Sequence, residues 1–226
     1  MFFDPTYLIM VGPALLLAVW AQYKVKSTFR RYSQQAAANG LTGGELAGRL
    51  LASSGKGDVR VEVTQGALSD HYDPRSKTLR LSPDVYSGRS VAAQGVAAHE
   101  AGHAMQDAAG YLPMRIRAGL VPVASLGSQL AFPLILIGFF MRASGLIQLG
   151  IIVFAAAVLF QIVTLPVEFN ASRRALASLA GGGYLAVEEQ AGARKVLTAA
   201  ALTYVAAALA AVMQLIYFMT LGDRRR

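Results

Sequence analysis

The stretch VAAHEAGHAMQ, Val96–Gln106, carries two of the chain's three histidines, His99 and His103, with Glu100 beside the first. On a helix, residues four apart lie on one face, about one turn from each other. Two imidazoles so placed can hold one zinc ion. Glu100 lies one residue round, on the flank of that face. From there it reaches a zinc-bound water without itself being a ligand. H-E-x-x-H therefore carries hydrolytic chemistry: zinc lowers the pKa of its water to about 7, and the glutamate takes the proton. Gly102, between the histidines, leaves room beside the metal. The plainer alternative is an alanine-rich helix with surface histidines. The surrounding SGRSVAAQGVAAHEAGHAMQDAAG reads as one helix from about Arg89 to Ala109, following strands, which is the context the motif needs.

A catalytic zinc takes a third protein ligand and keeps one position open. The chain has no cysteine, so the ligand must be His, Asp or Glu. Asp107 shares the face of His103 but lies two turns from His99, about 12 Å along the axis at about 1.5 Å per residue, too far for the same ion. His71 is one candidate. Glu168, in LPVEFNASRRALA, is the stronger one. It follows an apolar block directly, and a carboxylate at the hydrocarbon boundary is costly unless paired or bound to a cation. An ion pair with Arg173 or Arg174 is the competing explanation. Ser172, one turn beyond Glu168 on the same face, can hydrogen-bond a zinc histidine.

The rest of the sequence points to a membrane. The chain has 226 residues, 54% hydrophobic and only 15% charged, against about 25% charged in soluble domains. Its net charge of +8 fits anionic lipid headgroups better than nucleic acid in so apolar a chain. Four apolar blocks stand out, at Tyr7–Tyr23, about Ala118–Met141, about Leu146–Pro166 and about Val196–Leu221. The last three each suffice to span roughly 30 Å of hydrocarbon. The first is close to the minimum length. It is preceded by MFFDPT, with no positive charge, and followed by Lys24, Lys26, Arg30 and Arg31, as in a retained anchor rather than a signal peptide. Only RASG separates the second and third blocks, which predicts an antiparallel hairpin.

Of the 21 Lys and Arg, all but Arg142 and Arg224–Arg226 fall between the first and second blocks or between the third and fourth. The positive-inside rule puts those two regions in the cytoplasm. The basic tail Arg224–Arg226 conflicts with this scheme. Residues 24–117 form the only polar region large enough for a domain. Within it LTGGELAGRLLASSG has Thr42 three residues before Glu45, a capping-box pattern that ends at Gly55 and predicts a helix. Val59–Val63 alternates as a strand does, Lys77–Ser82 is a second strand, and DHYDPRS between them reads as a turn.

AAHEAGHAMQ, DHYDPRSKTLRLS, EFNASRRAL and GARKVLTAAALTYVAA together resemble the YugP-like neutral zinc metallopeptidases, membrane proteases of bacteria. The similarity runs from about Tyr23 to Met213 with the motifs in the family's order. The resemblance implies a membrane-embedded gluzincin, with His99, His103 and Glu168 as ligands of one zinc and Glu100 as general base. In that family the residue two after the third ligand is commonly acidic. Here it is Asn170, which bears on any role needing charge there and not on zinc ligation.

The fold expected is thus a mainly α integral membrane protein. About four transmembrane helices would accompany a small α+β zincin-like domain, made of a short strand pair and the H-E-x-x-H helix. Residues 1–23 would be an anchor, 24–117 the zincin-like region, and 118–166 a transmembrane hairpin. Residues 167–195 would be a cytoplasmic helix bearing Glu168, and 196–226 the last transmembrane helix and basic tail. The site would face the cytoplasm at the plasma membrane. The substrate would be a peptide or membrane protein, laid along the free edge of Val59–Val63 or Lys77–Ser82. Nothing in the sequence indicates a regulatory partner or an oligomer. His71, Tyr72 or a residue such as Tyr204 can stabilise an oxyanion near zinc; turn chemistry at Asp73-Pro74 and helix packing are the simpler readings. Two rival functions are a zinc-binding scaffold that does not hydrolyse and a transporter. For the transporter, only Gln129, Gln148, Gln161, Gln214 and a few hydroxyls interrupt the apolar blocks, a poor ion path.

Overall fold

The computed structural model describes residues 5–66 and 68–223. The tail Arg224–Arg226 lies outside the described residues. The elements run α1 (Pro5–Ser33), α2 (Gly43–Ser53), β1 (Arg60–Val63), β2 (His71–Asp73), β3 (Thr78–Leu81), α3 (Pro83–Tyr86), α4 (Val91–Ala108), α5 (Leu112–Phe140), α6 (Ser144–Gly181) and α7 (Val187–Asp223). The protein is mainly helical, with one small sheet among the described residues. Helices α1, α5, α6 and α7 are each long and apolar enough to cross a membrane.

The described chain divides into two compact units. One gathers residues 5–22, 115–166 and 202–223. Its helices pack through small residues: a Cβ on Gly127 would meet the Val153 carbonyl at 2.5 Å, and one on Gly138 would meet the Ile147 nitrogen at 2.9 Å. Without side chains at these points α5 and α6 approach backbone to backbone, as helices in lipid do. Val11, Ile135, Tyr217 and Phe218 form its buried centre. Its outer surface is apolar: Leu16, Ile152 and Phe140 are among the exposed side chains. Such a surface aggregates in water and is at home in hydrocarbon.

The other unit gathers residues 23–114 and 167–201. Leu46, Leu50 and Leu51 of α2, Leu79 and Leu81 of β3, the alanines of α4, and Leu179 and Val196 share one core. Thr42 caps α2 in the manner its sequence predicts: Thr42 Oγ1 accepts from Glu45 N–H at 3.1 Å, and Glu45 accepts from Thr42 N–H at 2.8 Å.

The sheet differs from the expected strand pair. It has three strands in the order β1-β3-β2, with β1 parallel and β2 antiparallel to β3. The added strand, His71–Asp73, comes from the stretch read as a turn. The turn itself follows, and Lys77, at φ 48°, carries the chain into β3. β3 is therefore central, and Lys77–Ser82 offers no free edge for a substrate. Among the described strands the edges belong to β1 and β2, and β2 packs against α4.

α6 also runs on unbroken past Pro166 to Gly181, so Glu168 sits within one long helix. Proline is tolerated there although it removes one helical hydrogen bond.

Candidate metal centre

α4 is capped at its amino end by Ser90, whose hydroxyl accepts from Ala93 N–H at 3.2 Å. Its alanines and glycines let other helices come close. Gly95 faces Ala193 of α7. Gly102 faces the backbone of α6, where an added Cβ would lie 2.6 Å from the Ala171 carbonyl oxygen. The room left by Gly102 is thus filled by α6, not by the metal. This approach brings a glutamate from α6 against the histidines of α4.

His99, His103 and Glu168 offer ligand atoms that all lie within 4.8 Å of one another. His99 Nε2 lies 3.2 Å and His103 Nε2 3.6 Å from the same oxygen, Glu168 Oε2. Donors about 2.0–2.1 Å from one ion at tetrahedral angles stand roughly 3.3–3.4 Å apart. The two spacings to Glu168 bracket that value and all three ligand atoms lie within 4.8 Å of one another, so the three residues suit a zinc ion. Two nitrogens and one carboxylate oxygen are also a donor set that zinc favours.

The far side of each ring is held. His99 Nδ1 lies 3.1 Å from Ser172 Oγ, and His103 Nδ1 lies 3.0 Å from Gln106 Oε1. Burial opposes a charge on His103, yet the Glu168 carboxylate beside it, with Glu100 adding to the field, holds its imidazole above the usual range. A pocket with that field favours a cation. Glu100 is itself buried and is not among the three converging ligands.

The remaining sequence candidates fall elsewhere. Asn170 lies on α6 and accepts from Arg174 Nε at 2.8 Å and from Gln106 Nε2 at 3.0 Å. His71 is exposed on β2, with Nδ1 2.7 Å from the Ser69 carbonyl, and is not part of the converging triad. Tyr72 donates to Asp107 at 2.9 Å, tying β2 to the end of α4. Tyr204 belongs to the other unit. Sequence alone does not single out Gln106. Its signal is spacing: an amide three residues after His103, on the same face of an alanine-rich helix.

The chain is similar to "Putative membrane protease YugP" of Bacillus subtilis (strain 168), with 47% identity over 213 residues, covering 94% of this chain and 95% of that protein. No solved structure matches it. Residues 7–222 match the family described as "Putative neutral zinc metallopeptidase", and with nearly the whole chain inside that match the protein belongs to this family.

Proposed function

We propose that the protein is a membrane-embedded zinc peptidase of gluzincin type, with His99 Nε2, His103 Nε2 and Glu168 Oε2 as ligands of one ion. The observation that carries this is the convergence of those three residues' ligand atoms within 4.8 Å of one another, beside a buried Glu100. Zinc held there supplies a water of lowered pKa, about 7, and polarises a carbonyl. The chain's own residues do the rest. Ser172 and Gln106 hold the two rings with Nε2 toward Glu168. Glu100 accepts the proton of the attacking water and returns it to the leaving amine.

The substrate is a peptide segment, from a soluble or a membrane protein. β2 is the free edge that packs on the metal helix, fixed to it by Tyr72 and Asp107. An extended peptide pairing with β2 runs beside α4. The unit that holds the triad contains all Lys and Arg except Arg115, Arg117, Arg142 and the three of the tail. This charge bias supports a site on the cytoplasmic side of a multi-pass protein.

The test compares zinc content and peptide hydrolysis in detergent-purified variants. Glu100→Gln should keep zinc and lose hydrolysis, and His99→Ala should lose both. Hydrolysis by Glu100→Gln at the wild-type rate would remove the general-base role, and full zinc in His99→Ala would remove the ligand assignment. Zinc binding by a wild type that cleaves no peptide would favour the scaffold instead.

A further inference from the structure

Gln106 is fully buried and makes three hydrogen bonds. Its Nε2 donates to the Val167 carbonyl at 2.8 Å and to Asn170 Oδ1 at 3.0 Å; its Oε1 lies 3.0 Å from His103 Nδ1. The direction of these bonds is not free. A backbone carbonyl only accepts, so the amide NH2 must face Val167. At the other end Arg174 Nε only donates, so Asn170 must present Oδ1, as it does at 2.8 Å. Both constraints leave Gln106 Oε1 for His103. An oxygen there requires a proton on His103 Nδ1, which in the neutral imidazole leaves the lone pair on Nε2, 3.6 Å from Glu168 Oε2.

We propose that Gln106 is a positioning residue that sets the tautomer of His103, and that Val167 and the Asn170–Arg174 pair set the direction of Gln106. The metal-facing nitrogen of an α4 ligand is thereby dictated from α6, the helix that supplies the third ligand. The Nδ1 side of His99 has no such constraint, and its Nε2 faces the Glu168 carboxylate at 3.2 Å, which only accepts. The Nδ1 partner, Ser172, is a hydroxyl, able to donate or accept by rotating. The two histidines thus differ: the tautomer of His103 is imposed by Gln106, whereas Ser172 can turn to serve either tautomer of His99, whose proton follows what faces Nε2, the Glu168 carboxylate or a metal. Because Asn170 serves only as an acceptor in this chain, Asn170→Asp preserves its part, whereas Asn170→Leu removes it.

The inference rests on the metal reading above for its consequence, but its first readout does not need zinc. With 15N-histidine the chain gives only three imidazoles to assign. In the zinc-free wild type, at alkaline pH where imidazole is neutral, His103 should carry its proton on Nδ1. A proton on Nε2 would overturn the inference whether or not the protein binds zinc. A chelator-competition titration then gives zinc affinity. Gln106→Leu should lose the tautomer preference and bind zinc roughly 10- to 100-fold more weakly. Gln106→Glu retains the acceptor toward His103 and should keep the Nδ1 proton and affinity within a few-fold of wild type, with a lower melting temperature from its lost donors. Should Gln106→Leu fail to fold, Gln106→Glu decides: loss of the Nδ1 proton there overturns the inference. A folded Gln106→Leu with wild-type affinity overturns it as well. Absence of zinc from the wild type together with the Nδ1 tautomer would sink the metal reading and leave the hydrogen-bond direction standing.

Discussion

Replacing Gly102 by alanine tests whether the approach of two helices sets the metal geometry. The added methyl would lie 2.6 Å from the Ala171 carbonyl oxygen, 3.2 Å from its carbon and 3.3 Å from its Cα. These are backbone atoms of α6, so no side chain can rotate away. Ordinary contact begins near 3.4 Å, and α4 and α6 must part locally by about half an ångström or more. Metal–ligand distances tolerate only about 0.2 Å. His99 and His103 ride on one of these helices, and Glu168 and Ser172 on the other. Overpacking of this kind costs about 1–3 kcal/mol. If zinc binding must pull the helices back together, its affinity falls by roughly 5- to 150-fold, at about 1.4 kcal/mol per factor of ten. Gly48→Ala is the control, since nothing lies within 4 Å of a Cβ at that position in α2. It should leave zinc affinity unchanged and stabilise the fold by about 0.5–1 kcal/mol. The assay is chelator competition with a thermal melt of each zinc-free variant. Wild-type zinc affinity in Gly102→Ala would refute the reasoning, because the ligand spacing would not then depend on that contact.

Two further outcomes follow from the same geometry. Ser172→Ala removes the partner of His99 Nδ1 and should weaken zinc binding by about tenfold, the lower end for such outer partners, without changing the number of ions bound at saturation; competition titration reads this. Asp73, in β2, is held down to about 2 by the Ser76 hydroxyl, the Arg75 N–H and the Arg80 guanidinium. Its folded value lies below its unfolded one, about 3.9, so its stabilisation is complete above pH 4 and is lost as the pH falls toward 2. Asp73→Asn should therefore lower the melting temperature of the zinc-free protein more at pH 6 than at pH 2.5, and an equal drop at both would contradict it.

Some of this architecture is written locally. The capping box at Thr42 and Glu45 announces α2 because both partners lie within one turn. The apolar blocks and the short RASG link announce the spans because length and composition alone decide what hydrocarbon accepts. The i, i+4 spacing of His99 and His103 places them on one face of whatever helix forms. Other features depend on partners remote in sequence. β2 is three residues long, too short for alternation to show, and Asp73-Pro74 sends the stronger turn signal. The central place of β3 follows from its parallel pairing with β1, which no local pattern encodes. Pro166 reads as a helix end, yet α6 continues through it. Gln106 looks like one polar residue on an alanine helix until Val167 and Asn170 of α6 are seen beside it.

The most direct measurement is the metal content of detergent-purified protein supplied with zinc, wild type beside Glu168→Ala. The triad geometry calls for one zinc per wild-type chain, lost or much weakened when the α6 carboxylate is removed. A wild type that takes up no zinc, or a Glu168→Ala chain that holds it as tightly as the wild type, would contradict a centre completed by Glu168.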